Sequence, residues 1–195
     1  SLRYYAKALE HDPRSAAAWL GQVQVLIELG EFREARLWAD KGLEVLPQEA
    51  ELLAAKAVAL ARGGDLKGAI SFSDAAVEER GNTPYVWLAR ADVLLACKER
   101  RAEFCVEKAL ALAPARWFYL WLASRMYAFH RQFARALQLA REGLESAADR
   151  AVVWLQVAEC QVALGLPAAA RISCEQARQL DPDCAAGGVL RAVDG

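Results

Sequence analysis

The feature that most constrains this chain is a period. Trp19, Leu53, Trp87, Leu120 and Trp154 lie 34, 34, 33 and 34 residues apart. Two columns of small residues, Ala35, Ala69, Ala102, Ala136, Ala170 and Gly42, Ala76, Ala109, Gly143, Ala177, keep gaps of 34 broken once by a 33. A fourth column, Pro13, Pro47, Gly81, Pro114, Ala148, Pro182, does the same. The stretches AWLGQVQVLIELGEFREARLWADKGLEVLP (18–47) and VWLQVAECQVALGLPAAARISCEQARQLDP (153–182) are therefore two copies of one unit, and the missing residue falls between Leu94 and Ala102. Self-similarity at such a period marks an array of supersecondary units.

Within one period the pattern is a helical hairpin. From Ala18 to Leu29 the apolar residues Trp19, Val23, Leu26 and Ile27 fall on one stripe of a helix. Gly30 ends that helix with a residue that tolerates the left-handed conformation. Phe32, Ala35, Leu37, Ala39, Leu43 and Leu46 line a second helix, which Pro47 stops. No alternating strand pattern bounded by turn residues is present. One hairpin cannot bury both its faces, so hairpins must stack, and small residues let the helices approach.

These columns resemble the tetratricopeptide repeat family, a 34-residue helix–turn–helix with W…L-G…Y, A…F…A and a closing Pro. The resemblance implies an all-α, right-handed superhelical solenoid of antiparallel hairpins. It divides this single array into a half-repeat at 1–15, full repeats at 16–49, 50–83, 84–116, 117–150 and 151–184, and a stub or cap at 185–195. AKALEHDP at 6–13 reads as the end of an earlier second helix, as in a fragment of a longer array. There are departures: Gln22, Lys56 and Arg90 replace a usual Leu, and the third repeat (ACKERRAEF) lacks the turn Gly and one residue. A tighter or kinked turn is expected there.

Composition narrows the function classes. With 24 Lys and Arg against 25 Asp and Glu, net charge −1, the near-neutral balance argues against a nucleic-acid or acidic-membrane partner, either of which would want a basic face. The pentatricopeptide reading, one RNA base per repeat, wants a basic groove and a longer period. No apolar run is long enough for membrane insertion. Cys97, Cys105, Cys160, Cys174 and Cys184 show no C-x-x-C spacing, and His11 and His130 lie far from any close Cys pair, so no metal or other cofactor is expected. Reduced, mostly buried thiols favour the cytoplasm, with the periplasm open if a leader was removed. Abundant Ala, Arg and Leu point to a GC-rich bacterial source. No nucleotide-binding, hydrolase or zinc-protease motif occurs, and no catalytic residue is assigned.

The resemblance places partner contacts on the first helices, facing a concave groove. Read onto this sequence, that groove holds Tyr85, Leu88, Asp92, Phe118, Trp121, Arg125, Phe129, Leu155 and Glu159. The clamp with which chaperone-binding relatives hold a terminal carboxylate is absent, its places being taken by Leu20, Gln24, Ala55, Tyr85 and Ala89. Phe118, Trp121, Arg125 and Phe129 fall at i, i+3, i+7 and i+11, one continuous stripe. Aromatic and Arg residues anchor interfaces when they fill pockets; the same stripe also reads as packing against the third repeat. KERR at 98–101 reads as a solvated turn. The expected function is a non-catalytic scaffold that binds a peptide, helix or domain of another protein. The alternative is a regulatory or assembly region of a larger, secretion- or envelope-related protein, docking its own domains or self-associating as a homo-oligomer through exposed ends.

Overall fold

The computed structural model describes residues 2–79 and 81–194. Among them are twelve α-helices and no strand: α1 (Leu2–His11), α2 (Ala16–Glu28), α3 (Phe32–Val45), α4 (Ala50–Arg62), α5 (Leu66–Glu78), α6 (Pro84–Ala96), α7 (Ala102–Leu112), α8 (Arg116–Phe129), α9 (Phe133–Ala147), α10 (Ala151–Ala163), α11 (Pro167–Leu180) and α12 (Ala186–Asp194). They fall into two compact units, Ser1–Leu112 and Ala113–Gly195. In the first, α1 packs on α2, and the hairpins α2/α3, α4/α5 and α6/α7 stack in order. In the second, α8/α9 and α10/α11 stack, and α12 rests on α10 and α11.

Each hairpin turns by the same device. The amide of a left-handed residue bonds the carbonyl three residues back, and the next amide bonds the carbonyl five back, which satisfies the open carbonyls of the first helix. The left-handed residues are Gly30, Gly64, Lys98, Arg131 and Gly165, with φ of 78°, 94°, 59°, 60° and 71°. The amide pairs beginning Gly30→Ile27 and Glu31→Leu26, and ending Gly165→Val162 and Leu166→Gln161, all measure 2.8–3.1 Å. The third repeat is not tightened, as its missing glycine had suggested. Lys98 takes the glycine's place and bonds Leu95, while Glu99 bonds Leu94 at 2.8 Å. The lost residue comes out of the second helix instead. That helix, α7, starts at Ala102, four after Lys98, where the other second helices start two after their turn residue, and it has 11 residues against 13–15.

The columns explain the stacking. Ala35, Ala69, Ala136 and Ala170 have no exposed surface, and Ala102 only 2%. A Cβ on Gly42 would come within 3.1 Å of Leu52 and 3.2 Å of Trp19, and one on Gly21 would overlap the Tyr5 ring by which α1 docks. The tryptophan and proline columns meet: Trp19 Nε1 donates to the Pro13 carbonyl at 2.9 Å, and Trp154 Nε1 to the Ala148 carbonyl at 2.8 Å. Each indole thereby ties its helix to the chain entering it. The cations at two of the departures do related work. Lys56 meets Asp40 at 2.6 Å and lies 3.6 Å over the Phe72 ring; Arg90 meets Asp74 at 2.7 Å. Both pairs join a first helix to the preceding second helix, 16 residues back, and so recur with the period. Gln22, by contrast, is buried with Oε1 lacking a hydrogen-bond partner among the described residues.

The left-handed turns make a test. Lys98→Gly and Arg131→Gly should each raise stability by about 1 kcal/mol, because an L side chain in that region costs about 1–2 kcal/mol, partly offset by the entropy of Gly. Gly64→Ala, where an added Cβ meets nothing, should lose about the same. Urea unfolding of the three variants measures both signs.

Candidate partner-binding surface

The predicted groove residues lie on three first helices, α6 in the first unit and α8 and α10 in the second. In the first unit they are turned to internal use. Arg62 of α4 directs Nη2 and Nε at Asp92 Oδ2 of α6, at 2.7 and 3.1 Å, with only 7% and 5% of the two side chains exposed. Burial alone would lower the Arg62 guanidinium; the charge and hydrogen bond of Asp92, helped by Glu28, raise it instead. Tyr85 is buried, its phenol raised by desolvation and hydrogen-bonded with Gln24 of α2. Thr83 Oγ1 donates to Glu51 Oε1 at 2.8 Å, a further tie between the second and third hairpins. Leu88 is 3% exposed. Tyr85, Leu88 and Asp92 therefore do not line an open groove. Side chains at the facing positions of neighbouring hairpins meet one another and exclude solvent.

The second unit carries the open part. Phe118, Trp121, Arg125 and Phe129 run along α8, and Leu155 and Glu159 lie on the adjacent α10. The Phe118 and Trp121 rings are 5.7 Å apart and tilted by 34°, and Phe118 stands edge-on to Tyr119 and Trp117. The Arg125 guanidinium sits 5.5 Å over the Trp121 ring and reaches Glu159 Oε2 at 3.9 Å. Cation–ring and ion-pair contacts of this exposure each contribute about 0.5–1 kcal/mol, enough to set an orientation and little more. Phe118, Trp121 and Leu155 are half-buried; Phe129 is 44% exposed, and Val152, a groove position on α10 absent from the expected set, is 47% exposed.

Beneath that face, buried polar groups fix the helices. Ser124 Oγ donates to the Ala136 carbonyl at 2.8 Å, holding α8 to α9, and Ser173 Oγ donates to Gln161 Oε1 at 2.8 Å, holding α11 to α10. Burial raises the Cys160 thiol, against which hydrogen bonds with Ser124 and Gln156 pull the other way. The surface is thus a mostly apolar strip with one coupled cation and anion. It offers shape and aromatic contact. No group of three or more His, Cys, Asp or Glu placed to hold a metal exists among the described residues, and no helix among them is long and apolar enough to cross a membrane.

Comparison with known proteins agrees with this architecture. Residues 1–59 match the family model described as Tetratricopeptide repeat. Curated protein sequences give no significant match. Among solved structures, a tetratricopeptide repeat protein from Parabacteroides merdae superposes with a TM-score of 0.66 at 15% identity, over 100% of this chain and 77% of that one. YrrB, described as a TPR protein with an unusual peptide-binding site, gives 0.52 at 16% identity with 100% of both chains covered. Human IFIT1, solved as a dimer with m7Gppp-AAAA, gives 0.60 at 19% identity over 91% of this chain and 46% of that one. At these identities the likeness is one of fold.

The buried ion pair in the first unit gives a prediction. Asp92→Ala removes the principal counter-charge of a buried guanidinium and should cost about 3–5 kcal/mol, whereas the double change Arg62→Met, Asp92→Leu should cost far less. Chemical denaturation of the two proteins, read by circular dichroism, separates them.

Proposed function

We propose that this chain, whose residues 1–59 match the Tetratricopeptide repeat model and whose fold is that of such arrays, is a non-catalytic scaffold that holds a segment of another protein against the first-helix face of its second unit. Phe118, Trp121, Phe129, Leu155 and the coupled pair Arg125 and Glu159 are the contacts. The observation that carries this reading is the aromatic strip itself: large rings left partly in water, on helices whose other faces are packed, stacked into one surface. Singly exposed apolar residues are ordinary, but a contiguous aromatic strip marks an interaction surface. Tyr85, Leu88 and Asp92 are buried within the first unit and are left out of the proposed contact set.

An apolar strip with a paired Arg and Glu suits an amphipathic helix or an extended segment that buries its own apolar side chains, and it gives little purchase to a polyanion. A partner held this way stays bound as salt is raised, whereas RNA is released steeply.

The test is retention of a binding partner by the intact protein and by Phe118→Ala, Trp121→Ala and Arg125→Ala. Trp121→Ala should weaken binding at least about tenfold, a loss of about 1.4 kcal/mol or more. Phe104→Ala, which removes an aromatic residue 62% exposed on α7, serves as the control and should change nothing. Equal retention by all four variants would place the partner elsewhere.

A further inference from the structure

We propose that the strip on the second unit takes a proline-rich segment in the polyproline conformation, laid across α8 and α10 with one backbone carbonyl bonded by the Trp121 indole N–H. This occupant presupposes the partner surface proposed above and gives it a chemistry.

The indoles differ in what they do with their N–H. Trp19 and Trp154 donate to the Pro13 and Ala148 carbonyls at 2.9 and 2.8 Å, and Trp87 donates to Asn82 Oδ1 at 3.0 Å. Trp121 is half-buried, and its Nε1 donates to no group among the described residues. The Arg125 guanidinium sits 5.5 Å over its ring and the Phe118 ring lies 5.7 Å away. With its face so occupied, the indole still offers the donor in the ring plane. Such a half-buried donor calls for an acceptor.

The backbone of the segment decides whether it can supply one. A helix spends its carbonyls on its own amides, so laid sideways it gives the indole nothing. A strand has open carbonyls, but also open amides that need acceptors of their own. This face answers them poorly: Glu159 is engaged by Arg125, and Phe118, Val152 and Leu155 are apolar. A polyproline chain keeps every carbonyl open, and proline has no amide hydrogen to strand against an apolar wall. Arg125 and Glu159 cancel, which suits an uncharged segment.

Spacing agrees. Helices α8 and α10 pack on one another, and packed helix axes lie about 8–10 Å apart. In a polyproline chain, residues i and i+3 return to one side after about 9.3 Å, three steps of about 3.1 Å. A residue over Phe118 and Trp121 therefore brings its i+3 neighbour over Val152 and Leu155, the same two places one period later. Alternate residues of a strand recur at about 6.6 Å and fall out of step.

The experiment titrates the isotope-labelled intact chain with three blocked peptides. One repeats Pro-Pro-Leu, one is an amphipathic helix with leucines at i, i+3, i+4 and i+7, and one is a strand former alternating Val and Thr. Calorimetry reads affinity, and the indole N–H resonances read the contact. The Pro-Pro-Leu peptide should bind at least about tenfold more tightly than the other two, moving the Trp121 resonance and leaving those of Trp19 and Trp154 in place. Trp121→Phe, which keeps a ring and removes the donor, should weaken that peptide roughly threefold to tenfold with the circular dichroism unchanged. Tighter binding of the helical or the strand peptide, lost in Trp121→Ala, would overturn the polyproline occupant and leave the strip as the partner surface. Undiminished binding of Pro-Pro-Leu in both Trp121→Phe and Trp121→Ala would sink occupant and surface together. A Trp121 resonance that stays still, or binding of none of the three peptides, would overturn the occupant as well.

Discussion

A pair of helices of 11–15 residues has more apolar surface than it can cover by itself, and that single shortage governs the molecule. Within each unit, a hairpin stands only because its neighbour lies against it. The approach is close: side chains at Ala35, Ala69, Ala136 and Ala170 are sealed, and Gly42 leaves room only for Leu52 and Trp19. Propensity alone would not hold such short helices in water. Packing does, and the bonded left-handed turns keep each pair in register for it.

Polar groups are placed by the same periodic logic. Lys56 with Asp40 and Arg90 with Asp74 repeat one inter-hairpin link, while Arg125 and Glu159 stand one full period apart. Their consequences differ with burial. These partly exposed pairs orient helices at small energetic cost, whereas Arg62 and Asp92 are committed to one another in a dry setting. In the first unit Tyr85, Leu88 and Asp92 of α6 are thereby buried against neighbouring helices. The second keeps part of its face open, with its polar commitments at Ser124, Ser173 and Gln161 sunk beneath the aromatic strip.

How much of this was legible in the sequence depends on what periodicity can encode. The hairpins, the small-residue columns and the i, i+3, i+7 stripe of Phe118, Trp121 and Arg125 are one-dimensional patterns, and they fold into what the spacing implies. The fate of Asp92 is not such a pattern. A carboxylate on an inner face meets either solvent or a neighbour, and the outcome is set by how closely adjacent hairpins approach. The spacing of Arg62 and Asp92, one period less four residues, was the available signal, since it sets opposite charges on facing turns. The missing residue of the third repeat was located in the sequence only to a window. That it shortens α7 and leaves the turn intact rests on Lys98 accepting a left-handed backbone, which composition does not announce.

The bond from the Trp19 indole to the Pro13 carbonyl, with its counterpart at Trp154 and Ala148, also bears on how the molecule can be watched. Trp19, Trp38 and Trp87 lie in one unit, and Trp117, Trp121 and Trp154 in the other. Near-ultraviolet absorption by tryptophan therefore divides evenly between them. An indole that loses its carbonyl acceptor to water emits further to the red, so the part-buried Trp19 reports on the helix entry it ties. The repeat has built an optical strain gauge into each half of the chain.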